Sequence, residues 1–323
     1  MNYASPLASH VGKSGFGKKL EAPPSVDEAL AQSGLDWEVG IQDTFTKIDG
    51  EFVKTPARAI VRQDNNQILG SVKKGYHLVQ NRAAFEVLTP FIEKGELELE
   101  AGGSISDGKK IWALARITGD PVEIVKDDPI YNYVLLSNSH DGSSSVRFGF
   151  TNMRVVCCNM LHAGSAHSDE FSKLLRIRHT KGAQVALEEA ADAMNLAKRS
   201  FEASVAQYKV MAAKGIHKGD LEKFVQRVFK PELIKGGKWD DVHEADFKKK
   251  VDTWVAKIAP HIEDKTNTLP GVGGTVWGMY NAMTHHLTHE YGRTEDSRIN
   301  NLVFDSAGYN HRAVQAALSL AAA

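Results

Sequence analysis

Residues 176–214 read RIRHTKGAQVALEEAADAMNLAKRSFEASVAQYKVMAAK, and the change of period inside this stretch decides the fold class. Arg176-Ile-Arg178 alternates like a strand. From Gly182 to Lys214, Leu187, Ala190, Met194, Ala197, Phe201, Ser204, Tyr208 and Met211 fall three or four apart. That spacing predicts one long helix with a single inward stripe. Ala and Ser within the stripe suit a helix packed on a core better than a long coiled coil.

Working back from Arg176, the chain reads as hairpins. Trp37–Ile41 and Ala57–Val61 alternate apolar and polar residues, and Asp64-Asn-Asn66 turns Val61 back into Ile68–Val72. Leu97–Ala101 and Lys110–Arg116 pair about Asp107-Gly108, and Tyr131–Leu136 pairs with Ser145–Phe150 about Asp141-Gly142. One helix, Asn81–Phe91, interrupts this series, and Val155–Leu161 fits either a strand or a helix. Ser25 with Glu28 has the form of a capping box, opening a short helix that stops at Gly34. Working forward from Lys214, helices are predicted at 218–229, 245–258, 275–291 and 311–320. Strands first and helices afterwards give an α+β fold: twisted antiparallel hairpins with an internal helix, then a long helix and a helical C-terminal part. The expected units are a flexible basic tail (1–24), a β-rich α+β domain (25–181) and a helical domain (182–323).

The 323 residues are 42% hydrophobic and 24% charged, an ordinary globular balance. No window approaches the roughly 18 apolar residues of a spanning helix, and no secretory segment is expected at the N-terminus. The adjacent Cys157 and Cys158 read as two reduced, buried thiols, which fits a cytoplasmic protein. A net charge of −1 argues against a wholly cationic nucleic-acid binder. The charge is segregated, however. Residues 25–130 hold 12 Lys/Arg against 18 Asp/Glu, and residues 171–250 hold 17 against 11.

Several motifs resolve toward structure. Gly12–Lys19 approaches a phosphate-binding loop but carries Lys19 where a hydroxyl would hold magnesium. Gly271–Thr275 reads as a linker ending in an N-cap, with a phosphate site at the helix start as the functional alternative. Cys157, Cys158, His162, His167 and His179 lack the paired spacing of a zinc site, and His285/His289 lack the Glu of a zinc-protease helix. No metal, cofactor or catalytic residue is therefore expected. Ser137-Asn-Ser-His-Asp141 fits a turn better than a triad. A nuclease acting through His140 and Asp141 is the least favoured reading.

The remaining signal is cationic. Arg147, Arg154, Lys173, Arg176, Arg178, His179 and Lys181 cluster between residues 135 and 181, with Arg176 and Arg178 on one face of a strand. Phe148 and Phe150 fit the core better than a base-stacking surface. Lys73, Lys74, Tyr76 and Arg82 form a second group around Gly75. Cations beside flat rings are the means by which single strands are held, with phosphates on the charges and bases on the rings.

Several segments together are similar to a known family: Gly34-Leu-Asp-Trp37, Gly75-Tyr-His-Leu-Val-Gln-Asn-Arg82, Trp112-Ala-Leu-Ala-Arg116, Leu135-Leu-Ser-Asn-Ser-His-Asp-Gly-Ser143, Arg154-Val-Val-Cys-Cys-Asn159 and Arg176-Ile-Arg-His-Thr180. Trp277 with Tyr280-Asn-Ala282 extends the likeness into the helical part. The chain resembles the phage/plasmid-like proteins with domain of unknown function 932 (DUF932). The resemblance implies residence on phages, prophages and conjugative plasmids, and no activity, cofactor or catalytic residue. By fold-level analogy the architecture also resembles Rad52-like single-strand annealing proteins. The expectation is a non-enzymatic single-stranded DNA binding or annealing protein, homo-oligomeric and without membrane contact. The alternative is a protein-interaction module that inhibits a host defence or DNA-processing enzyme.

Overall fold

The computed structural model describes residues 17–21, 23–144, 146–157, 159–162, 176–177, 186–233, 241–304 and 308–323. Within the tail expected over 1–24, residues 18–20 are held against the main sheet. Strand β1 (Lys18–Lys19) pairs with Gly102 and Ala101, and Leu20 behind it is buried. Helix α1 (Val26–Ser33) begins as its capping box predicts: Ser25 Oγ accepts from Glu28 N–H, and the Glu28 carboxylate accepts from Ser25 N–H. Gly34 ends it at φ 69°, a left-handed conformation that only glycine adopts at no steric cost.

Three strands then make a small antiparallel sheet, β2 (Val39–Ile48), β3 (Glu51–Arg62) and β4 (Ile68–Val72). The alternation read at Trp37–Ile41 belongs to a ribbon twice as long as expected. The predicted β3–β4 hairpin is present, with Asn66 left-handed in its turn. The predicted helix over 81–91 is split into α2 (Asn81–Glu86) and α3 (Thr89–Glu93), because Pro90 cannot continue α2 and can only open a new turn.

The main sheet follows: β5 (Leu97–Ile105), β6 (Lys110–Ile117), β7 (Val122–Glu123), β8 (Pro129–Ser139), β9 (Val146–Arg154), β10 (Met160–His162) and β11 (Arg176–Ile177). Its order is β1-β5-β6-β8-β9-β10, with β7 on β8 and β11 on β9, and every pairing is antiparallel. Of the ambiguous stretch Val155–Leu161, residues 155–157 form a turn and Met160-Leu161 belong to β10, which folds back on β9.

Every residue of β8 is buried, so the sheet is covered on both faces. Val134 and Leu136 pack with α1, α2, α3 and the root of the small sheet. Tyr131, Tyr133 and Leu135 point to the other side. Ile299 and Leu302 of the helical half cover that side. The helical half itself comprises α4 (Ala186–Ala213), α5 (Asp220–Leu233), α6 (Asp241–Ile262), α7 (Val276–His285), α8 (Glu295–Ile299) and α9 (Tyr309–Ala321). Two π-helical segments, His286–Glu290 and Asn300–Phe304, continue α7 and α8. The helical core recruits Ile124, Ile130 and Leu161 from the sheet side and is centred on Tyr208, Trp277 and Tyr280. Ser204, Tyr208 and Met211 of α4 are fully buried, as expected of a helix packed on a core. No helix of the described residues is long and apolar enough to cross a membrane.

Candidate nucleic-acid interface

The small sheet is anchored by its root. A Cβ at Gly70 would lie 2.4 Å from the Asp141 Cα, so only glycine lets β4 rest directly on the β8–β9 turn. Val39, Ile60, Leu69 and Val72 bury the root in the N-terminal core. Beyond the bulge between Asp43 and Phe45, the β2–β3 ribbon leaves the body and exposes large apolar side chains to solvent: Phe45 at 56% and Phe52 at 77%. A lone two-stranded ribbon is marginal in water, so a ribbon with apolar residues at its end is built to be covered.

Its register sets what it offers. Phe45 stands opposite Lys54, and Lys47 stands opposite Phe52. Opposed residues share a face, and residues two apart on a strand do so as well. One face of the ribbon therefore carries two phenylalanines and two lysines in a checkerboard. Ile48, Glu51 and Val53 occupy the other face. Lys54 is paired with Asp43 at 2.5 Å, whereas Lys47 makes no ion pair among the described residues.

The predicted cations divide around this sheet. Lys73 and Lys74 are exposed immediately after β4, and Arg58 of β3 donates to the Lys74 carbonyl across 2.6 Å. They lie at the root of the ribbon and add two lysines to Lys47 and Lys54. Tyr76 is not an open ring. It packs against the N-terminal core, its hydroxyl lies 3.4 Å from the Ser139 carbonyl, and burial with the nearby Asp141 pushes its pKa up to about 12. Arg82 is exposed and paired with Asp27.

The second predicted group does not form a single face. Arg147 and Arg154 are seven apart on β9, and an odd spacing puts them on opposite sides of the sheet. Arg147 is half-buried, registered between Ser137 and Arg176. Arg154 is wholly enclosed and bonded to Asp128, which removes it from any nucleic-acid surface. Only the backbone of Arg176 is described. Lys173, Arg178, His179 and Lys181 lie outside the described residues, as do Cys158, His167 and the basic residues before Gly17.

Other motifs settle into structure. His140 is buried, with its Nε2 2.7 Å from Asn81 Oδ1 and its ring against Trp37. Asp141 accepts from Ser143 N–H within the turn. Phe150 lies in the core and Phe148 packs against it. Cys157 is a buried thiol whose pKa is raised by burial. Thr275 is the N-cap of α7, accepting from Gly278 N–H.

Sequence reading missed Phe45, Lys47, Phe52 and Lys54. The available signal was the alternation Phe45-Thr-Lys47 followed by Asp49-Gly50 and Phe52-Val-Lys54, a hairpin with its rings on one parity.

No curated protein and no solved structure matches the chain. A family model described as a domain of unknown function, DUF932, matches residues 68–313. The ribbon precedes that match, while Lys73, Lys74, the main sheet and the helical half lie within it. The match covers well over half of the chain, which therefore belongs to the DUF932 family.

Proposed function

We propose that the chain binds single-stranded DNA, with bases stacking on Phe45 and Phe52 and phosphates meeting Lys47, Lys54, Lys73 and Lys74. The observation that carries this reading is the register Phe45–Lys54 and Lys47–Phe52 on an exposed ribbon. Rings interleaved with cations hold a strand without reading its sequence. Such a surface suits a non-enzymatic single-strand binding or annealing role in recombination or replication on a mobile element. A β-ribbon with both faces open also suits assembly of several copies along a strand.

Fluorescence anisotropy with a labelled single-stranded oligonucleotide, at low salt and then through a salt titration, tests the proposal. Binding should weaken with salt, with a slope of about −0.7 per phosphate neutralised. Size-exclusion with light scattering, with and without the oligonucleotide, should show assembly that DNA promotes. Absence of binding at micromolar protein overturns the reading. So does a Phe45→Ala/Phe52→Ala variant that changes the oligomeric state yet binds DNA as before, which would make the ribbon a protein contact.

A further inference from the structure

The end of α6 and the end of α7 bring four imidazoles together. Pro260 lies in the last turn of α6, which ends at Ile262, and has no N–H for the carbonyl four residues back. His261 lies at that terminus. At His285, α7 passes into the π-helical segment His286–Glu290, closed by a 2.8 Å bond from Tyr291 N–H to the His286 carbonyl. Bonds of this i to i+5 kind stack residues five apart, and single π turns recur at functional sites. Glu290 consequently lies beside both His285 and His286.

The donor atoms of His261, His285 and Glu290 all fall within 4.8 Å of one another. Glu290 Oε1 is 3.2 Å from His261 Nε2, and Oε2 is 2.7 Å from His286 Nδ1. The His285 ring centroid lies 4.4 Å from that of His261 and 4.7 Å from that of His289. His285 Nδ1 is buried and meets no hydrogen-bond partner among the described residues. His289 is held in place, with Nε2 at 3.2 Å from both the Cys157 carbonyl and Asn159 Oδ1. Burial keeps His285 and His286 below the usual imidazole range, and His261 adds to the effect on His285.

We propose that His261, His285 and Glu290 bind a divalent transition-metal ion of the zinc type. Two imidazoles and one carboxylate are the protein donors of open zinc sites. Imidazole nitrogen also favours the later first-row ions over magnesium or calcium. The His286–Glu290 contact orients the carboxylate, the task that outer partners perform in metal sites. Zinc bonds of about 2.0–2.2 Å require the three donors to draw closer. Glu290, the exposed member, has the freedom to rotate inward, and its exposure gives the ion a path in. The site lies on the helical half, far in sequence from the ribbon, and stands independently of the DNA reading.

The test is calorimetric titration of the chelator-treated full chain with Zn²⁺, followed by substitution with Co²⁺ and zinc-edge X-ray absorption. One ion per chain is expected, with a first shell of nitrogen and oxygen only. His261→Ala, His285→Ala and Glu290→Gln should each weaken binding by at least tenfold, and His286→Asn, which removes the orienting contact, by about 10- to 100-fold. Circular dichroism identifies variants that fail to fold, and the absorption spectrum of the unsubstituted protein decides the question without them. No stoichiometric binding, binding unchanged in His261→Ala/His285→Ala, or a sulfur neighbour near 2.3 Å, each overturns the assignment.

Discussion

Arg154 Nε donates to Asp128 Oδ1 across 2.6 Å, and neither side chain retains any exposure to solvent. The pair is fully furnished with partners. Arg154 also donates to Asn267 Oδ1 and to the Thr266 carbonyl, each at 2.6 Å, and Asp128 Oδ2 accepts from Trp277 Nε1 at 2.7 Å. This network joins the end of β9 to the loop after α6 and to α7, so one ion pair fastens the sheet to the helical half. Removing one member strands the other charge in a low-dielectric interior. Asp128→Asn should destabilise the fold by about 3–5 kcal/mol in urea denaturation. The double variant Asp128→Asn/Arg154→Met should lose less than the sum of the single changes, because it leaves no isolated charge. Additive losses would show that the pair is not coupled.

The ribbon should behave in the opposite way. Phe45 and Phe52 support no core, so Phe45→Ala/Phe52→Ala should change stability by no more than about 0.5 kcal/mol. Binding of single strands should fall by about 1–3 kcal/mol per lost stack. Denaturation and anisotropy on the same variant separate the two effects. Lys73→Ala/Lys74→Ala should instead reduce the salt slope by about 1–2, since each lysine accounts for about one phosphate.

His140 should prove structural. Asn81 Oδ1 accepts from His140 Nε2–H, and its Nδ2 donates to the carbonyls of Leu35 and Trp37. Asn81→Ala leaves buried polar groups bare, each costing about 1–3 kcal/mol. His140→Ala should lower the thermal midpoint without altering DNA binding or producing any change in cleavage. Nuclease activity that vanishes in a folded His140→Ala protein would reverse this assignment.

Alkaline pH should loosen the fold through Tyr76. Its folded pKa, about 12, lies above the usual value of 10 because of burial and, secondarily, Asp141. The neutral phenol is favoured in the native state, so its contribution is complete below pH 10 and disappears as pH rises toward 12. Tyr208, raised by burial and bonded to Asn152, acts in the same direction. Tyr76→Phe should flatten the fall in stability over that interval when denaturation is followed against pH.

Much of the fold was legible because its signals are local. Ser25, Glu28 and Gly34 bound α1 through contacts a few residues long. Asp107-Gly108 and Asp141-Gly142 turn their hairpins, and Thr275 starts α7 by capping Gly278. The site was legible only in part. Lys73 and Lys74, named from the sequence, are exposed, while Arg154 is enclosed, because a buried arginine and a surface arginine look alike in sequence. Phe45 and Phe52 were overlooked because ring exposure depends on where the ribbon leaves the body.

Sequence alone determined the order of strands before helices, the turn positions and the family, since periodicity and capping act over one or two turns of chain. Only the tertiary structure decided that Arg154 meets Asn267, 113 residues away, and that His261 meets Glu290. It also decided that β8 is covered on both faces. Burial and ion pairing depend on which surfaces are brought together in space, and no local pattern encodes a partner a hundred residues distant.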